Sequence, residues 1–167
     1  MTVTIDDFPH GETGRNPLLL LTRGLPGSGK SSLAEEWVQL APHRRVRVNR
    51  DDLRAELFDA EGLLLQDQEK QVTAVQVART LAALSAGRSV VLDDLNLSPW
   101  ENTEWRNRVA PLGIDVVVID VRTPVAECVR RDQLRGARGG RTVGAEVIEL
   151  LANIHLADGW DAAPRFA

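Results

Sequence analysis

The sequence has one cysteine in its 167 residues, Cys128, so no internal disulfide can hold the fold together. Cys128 lies between Val125 and Val129 at helical spacing with no histidine or asparagine signature around it, and it reads as core rather than nucleophile. No apolar run approaches the ~20 residues needed to cross a bilayer. Residues 1–16 lack the basic-then-apolar layout of a secretory signal and carry Asp6, Asp7 and Glu12, so export is not expected and a cytoplasmic location is. Repeats, low-complexity tracts and internal linkers are missing as well. So is positive charge in excess. The formal net charge of −4 argues against a protein held on nucleic acid by bulk electrostatics, and leaves such work to local clusters. Lysine is scarce: of 20 Lys and Arg residues only Lys30 and Lys70 are lysines.

A chain of this length suits one domain that buries roughly two-thirds of the surface exposed when unfolded. The expected division is a flexible leader over 1–16, a single domain over 17–160 and a tail over 161–167. Residues 17–23 form a short apolar run broken at Gly24, the pattern of a strand buried on both faces. Leu33, Ala34, Trp37 and Leu40 then recur at helical spacing before Pro42. Residues 45–49 read as a second strand, after which Asp51 can cap a short helix ending near Leu57. Residues 66–86 form the longest helical stretch, with Val72, Val75, Ala78, Leu81 and Ala82 on one side. A third strand over 89–95 ends in Asp93 and Asp94. Ser98, Pro99 and Glu101 mark a helix start, and 114–121 is a further buried strand. A helix over 124–133, a loop over 134–142 and an amphipathic helix over 145–156 complete the chain, while residues 2–5 could add an edge strand. The alternation predicts a three-layer α/β fold with a mostly parallel sheet.

Gly24-Leu25-Pro26-Gly27-Ser28-Gly29-Lys30-Ser31 satisfies every fixed position of the phosphate-binding loop pattern, between a predicted strand and a predicted helix. Backbone N–H groups of such a loop turn inward on phosphate oxygens, and the helix beginning there adds its positive end. Lys30 supplies a point charge to the β- and γ-phosphates, and the Ser31 hydroxyl is a ligand for Mg²⁺. A sequence that otherwise uses arginine has placed lysine where a compact ammonium is needed. The expected nucleotide site comprises Gly24, Pro26, Gly27, Ser28, Gly29, Lys30, Ser31 and Ser32. Asp93 and Asp94 are candidates for the metal or its waters, with Asp94 preferred.

The segment after the second strand, Asn49-Arg50-Asp51-Asp52-Leu53-Arg54, puts a carboxylate where it can accept the proton of an attacking hydroxyl. Arg54, one turn on, can hold an anionic group beside it. Arg130, Arg131, Arg135, Arg138 and Arg141 crowd a glycine-bearing segment that reads as a lid over the donor phosphates, with Arg135 and Arg131 the principal candidates.

GLPGSGKSS, VNRDDLR, VVLDDLNLS and VRRDQLRG stand in the order found in the 5′-hydroxyl polynucleotide kinase domain of bacteriophage and bacterial end-healing enzymes, which residues 17–156 resemble. The resemblance implies that ATP or another NTP, with Mg²⁺ or Mn²⁺, is held by Lys30 and Ser31. It implies Asp51 as general base on the 5′-hydroxyl of a DNA or RNA strand, Arg54 on the phosphate of the terminal nucleotide, and Arg135 on the donor. Asp94 matches the family's acidic residue at the third strand, although Asp93-Asp94-Leu95 stands here where serine, aspartate and threonine are usual. Such kinases are often fused to a phosphatase or ligase, which makes one a possible partner. Two rivals stay open: a kinase of a small hydroxylated acceptor such as a sugar, antibiotic or nucleotide-sugar, and a non-catalytic NTP-binding module.

Overall fold

The computed structural model describes residues 4–9 and 16–156. The apolar runs become four strands, β1 (Leu18–Arg23), β2 (Arg45–Val48), β3 (Ser89–Leu92) and β4 (Asp115–Asp120). They form one sheet in the order β2-β3-β1-β4, every neighbouring pair parallel. The helices are α1 (Lys30–Gln39), α2 (Arg50–Phe58), α3 (Gln66–Ser85), α4 (Pro99–Val109), α5 (Val125–Ala137) and α6 (Ala145–His155). Parallel pairing requires a crossover between strands, and these helices supply it on both faces.

Alternation along β1 assigns its leucines to opposite layers. Leu19 and Leu21 pack with Leu53 of α2, Val72 of α3 and Trp105 and Val109 of α4. Leu20 packs on the other face with Ala34 and Trp37 of α1. A third cluster of Leu25, Cys128, Ile148 and Ala152 fastens the loop after β1 to α5 and α6, so Cys128 is core as expected. The result is a three-layer α/β fold whose strand ends bring the loops after β1, β2 and β3 to one edge.

Several local expectations shift. In α3 the buried line is Val72, Gln76, Thr80 and Leu84, while Ala78 and Ala82 are exposed. Gln76 is drawn inward by its bonds to Asp94 and Arg50, which apolar periodicity cannot register. α5 passes the predicted stop at residue 133 and runs to Ala137. Gly136 does not terminate it; a Cβ there would stand 2.3 Å from the Thr142 methyl, so glycine permits the following segment to close on the helix. Asp51 does not cap α2, because Asn49 does: its Oδ1 accepts from the Asp52 N–H at 3.0 Å. Ser98 takes the cap position of α4 without a side-chain bond.

Before β1, Ile5–Asp7 form a 3-10 turn rather than an edge strand; residues 2 and 3 lie outside the described residues, as does the tail from 157. Phe8 is 2% exposed and packs beside Trp37, whose Nε1 donates to the Pro9 carbonyl at 3.0 Å. Phe8→Ala should therefore lower unfolding stability by about 3 kcal/mol. Urea denaturation would measure this, and a midpoint equal to that of the unaltered protein would count against the packing.

Candidate active site

The phosphate loop is shaped by close approach to the helix behind it. Gly27 has φ +79°, and a Cβ there would lie 2.6 Å from the Cys128 carbonyl oxygen, so the loop and the body of α5 touch through backbone. Thr123 Oγ1 donates to the Ser28 carbonyl at 2.7 Å from the segment preceding α5. Lys30 opens α1 and is only 8% exposed, its Nζ donating to the Leu25 carbonyl at 2.8 Å and Ser28 Oγ at 3.4 Å. Burial pulls its ammonium down to about 8, against the opposing pull of Asp93.

A concavity of about 270 Å³ opens in front of this loop, lined by Gly27, Gly29, Lys30, Ser31, Ser32, Arg131 and Arg135. The structure thus brings the loop and the two expected lid arginines together. Arg131 Nη1 donates to the Ser28 carbonyl at 3.3 Å and its Nε to Glu127 Oε1 at 2.7 Å. Arg135 donates to Asp132. Asp132, buried on α5, also accepts from the N–H groups of Val143 at 3.0 Å and Gly144 at 2.9 Å. Burial alone would raise the Asp132 pKa, but these N–H groups and Arg135 outweigh it and hold the carboxyl below its ordinary value. Asp132 was not singled out in the sequence, although its spacing of three from Arg135 marks a helical ion pair.

Asp93 and Asp94 diverge just past β3. Asp94 Oδ1 accepts from the Arg50 N–H at 2.9 Å and its Oδ2 from Gln76 Nε2, and burial pushes its pKa up to about 6. Asp93 is 2% exposed; its Oδ2 accepts from Arg47 Nε at 2.7 Å, while its Oδ1 is buried without a hydrogen-bond partner. The hydrogen bonding therefore runs against the expectation of Asp94 as the metal carboxylate, since both of its oxygens hold the start of α2 against α3. Asp93 has the oxygen to spare. Among the described residues no group of three or more His, Cys, Asp or Glu could hold a metal ion alone, so phosphate oxygens would have to complete a shell here.

Asp51 lies in the first turn of α2, its side chain 59% exposed, and lines neither this concavity nor one of about 370 Å³ formed by Arg131, Leu134, Arg135, Arg138 and Gly140. Its Oδ1 accepts from Arg54 Nη1 at 2.7 Å and Arg141 Nη1 at 3.4 Å. Arg54 is not free to grip an anion, as the sequence suggested. Its Nε and Nη2 are on the two oxygens of Glu69 at 2.8 and 3.0 Å. Glu69 also accepts from Arg50 Nη2 at 2.7 Å and the Leu64 N–H at 3.1 Å. Arg54 first, then Arg50, hold the Glu69 carboxyl down to about 2, with burial opposing them. No local pattern marks Glu69, whose arginine partners are 15 and 19 positions away.

The arginines between positions 45 and 50 are also committed internally. Arg45 is buried over the Trp37 ring at 4.4 Å, Arg47 pairs with Asp93 and Asp52, and Arg50 reaches Glu69, Thr73 and Gln76.

Residues 19–154 match a family model described as an AAA domain. The chain belongs to that family. A structure of the Pnkp1/Rnl/Hen1 RNA repair complex contains a chain similar to this AAA domain at 28% identity and a TM-score of 0.75, covering 87% of this chain and 46% of that one. A putative kinase from Chloroflexus aurantiacus shares the fold at 19% identity and a TM-score of 0.64, covering 81% of this chain and 75% of its own. Midasin of Dictyostelium discoideum is 34% identical over 95 residues, 57% of this chain and 2% of midasin. The chain thus spans less than half of the repair-complex chain and a small fraction of midasin. The fold of this AAA domain is that of P-loop kinases. Among the described residues no helix is long and apolar enough to cross a membrane.

Two expectations follow for the AAA domain's charged groups. Because the Lys30 pKa lies below its unfolded value of 10.5, its charge disfavours the folded state below about pH 8, and the penalty fades as pH rises from there toward 10.5. Lys30→Met should stabilise the nucleotide-free protein at pH 7 by at most about 3 kcal/mol, shrinking in alkali, and should remove the Tm rise produced by NTP. A variant less stable at every pH would contradict the burial cost. Glu69 has the opposite sign: held at about 2 instead of 4.5, it stabilises the fold above pH 4.5 and loses that contribution as pH falls toward 2. The stability gap between the native protein and Glu69→Gln, followed by acid titration, should close over that window.

Proposed function

We propose that this chain transfers the γ-phosphate of an NTP to the 5′-hydroxyl end of a DNA or RNA strand. The observation that carries the reading is the state of Asp51: both arginines that hold it use Oδ1, and Oδ2 has no hydrogen bond among the described residues. A carboxylate fixed through one oxygen and open at the other is suited to general-base work. The likeness to a chain of an RNA repair complex supports the strand as acceptor.

In this reading the loop N–H groups and Lys30 hold the β- and γ-phosphates, and Arg131 and Arg135 cover them from α5. Asp51 Oδ2 takes the proton of the acceptor hydroxyl as its oxygen bonds to the γ-phosphorus. The bond from that phosphorus to the β-bridging oxygen breaks, NDP departs, and the strand gains a 5′-phosphomonoester. Arg54 serves the acceptor side through Asp51, positioned in turn by Glu69. Ser31 and the unpartnered Oδ1 of Asp93 suit Mg²⁺ or Mn²⁺, which when bound would neutralise charge between the β- and γ-phosphates. A phosphatase or ligase, fused or associated, would supply complementary end-repair steps.

A small hydroxylated acceptor is the second reading. What favours it is the internal pairing of Arg45, Arg47 and Arg50, which leaves these guanidinium groups little to offer an incoming strand.

The test is transfer of labelled γ-phosphate to a 5′-hydroxyl oligonucleotide, beside a 5′-phosphorylated control, with Mg²⁺ or Mn²⁺. Label is expected on the hydroxyl strand alone. Asp51→Ala should cut its rate by about 10²–10⁴ while NTP affinity stays near that of the native protein. Label on neither strand, with transfer to a sugar or nucleotide-sugar, would replace this reading by the second.

A further inference from the structure

Arg135 lines two concavities, the one of about 270 Å³ before the phosphate loop and the one of about 370 Å³ that shares Arg131 with it. With its side chain 47% exposed, a guanidinium there would ordinarily sweep many rotamers. Two contacts restrain it. The Gly140 N–H donates to the Arg135 carbonyl at 3.0 Å, and a Cβ at Gly140 would stand 2.7 Å from Arg135 Cγ, so the backbone at residue 140 packs against the stem. At the other end, Nη2 donates to Asp132 Oδ1. Among the described residues Nε and Nη1 make no hydrogen bond, which leaves them for a ligand.

Asp132 is itself held from the far side. Its side chain is 2% exposed, and besides Arg135 its Oδ1 accepts from the Val143 N–H at 3.0 Å, while Oδ2 accepts from Val143 at 3.0 Å and Gly144 at 2.9 Å. Those N–H groups immediately precede α6, whose start suits a negative charge. Fastening α6 to α5 would need only these backbone donors. The arginine is the additional partner, and it is the one that reaches the phosphate loop's concavity.

We propose that Asp132 is a positioning residue for the donor site: it takes its orientation from the start of α6 and passes it to Arg135, keeping the free N–H groups of that arginine turned to the donor phosphates. The inference deepens the phosphotransferase reading and rests on it for the donor alone. It holds equally for a strand or a small molecule as acceptor.

Asp132→Asn separates the two roles. An amide has one accepting oxygen, and with that oxygen toward Val143 and Gly144 its NH2 meets the guanidinium donor to donor. The start of α6 stays held while Arg135 is released. The readout is the Kd for ATP with Mg²⁺, measured by calorimetric titration, which needs no acceptor. Asp132→Asn should weaken ATP about three- to tenfold, Arg135→Ala at least as much, and the double variant no more than about twofold beyond Arg135→Ala, because the carboxylate acts through a side chain already gone. Gly140→Ala reaches Arg135 from its stem without touching the carboxylate. It should weaken ATP about two- to fivefold, again only where Arg135 is present, and it keeps the inference testable should Asp132→Asn fold poorly. Losses from Asp132→Asn and Arg135→Ala that multiply would make Asp132 a fastening for α6 and overturn the assignment. So would ATP affinity unchanged or tightened by Asp132→Asn. The predicted coupling in a protein that labels no acceptor would support this inference while removing the proposed function.

Discussion

An ammonium buried at the mouth of a parallel sheet is the interaction on which the remaining architecture depends. Taking the Lys30 charge out of water is unfavourable, and the Leu25 carbonyl, the Ser28 hydroxyl and the nearby Asp93 offset this only in part, as the pKa near 8 records. On the proposed reading, polyphosphate oxygens would complete what the protein's own oxygens leave unfinished. The loop that presents this charge can wrap so tightly because it backs onto α5 through Gly27 and Cys128, which gives the arginine-bearing helix and the loop a common floor. The placement of the loop and the placement of α5 are one structural problem, solved at one contact.

Two carboxylates organise the guanidinium groups around that floor. Asp132 gathers Arg135 with the N–H groups of Val143 and Gly144, and Glu69 gathers Arg50 and Arg54 with the N–H of Leu64. Each ties a connecting segment to a helix while orienting arginine. A long side chain ordered in advance loses less entropy when an anion arrives, which is the physical advantage of holding it beforehand.

The strands and the phosphate loop were legible because their signals are local: unbroken apolar runs, fixed glycine spacing, and one lysine among arginines. The helices were legible in outline and misread in detail. α3 buries Gln76 and Thr80 where alanines had been expected, because Gln76 answers Asp94 and Arg50 across the fold. α5 continues through Gly136, since that glycine serves a close approach by Thr142. At the site, Gly27, Gly29, Lys30, Ser31, Ser32, Arg131 and Arg135, all expected from sequence, line one concavity, whereas Gly24, Pro26 and Ser28 are not among its lining residues. The hydrogen bonds that distinguish Asp93 from Asp94 were not, for they come from Arg47, Arg50 and Gln76 across the fold. Glu69 stayed invisible for the same reason: long-range hydrogen bonds leave no periodicity.

The internal commitment of Arg45, Arg47 and Arg50 has a kinetic consequence. A polyanion drifting across this face meets guanidinium groups already stacked on Trp37 or matched to Asp93, Asp52 and Glu69, within a molecule of net charge −4. Such a surface gives a duplex or single strand no rail to slide along. If strands are the acceptors, as proposed, their termini would be met by collision from bulk solution, one encounter at a time, and the interior of a chain would be left alone.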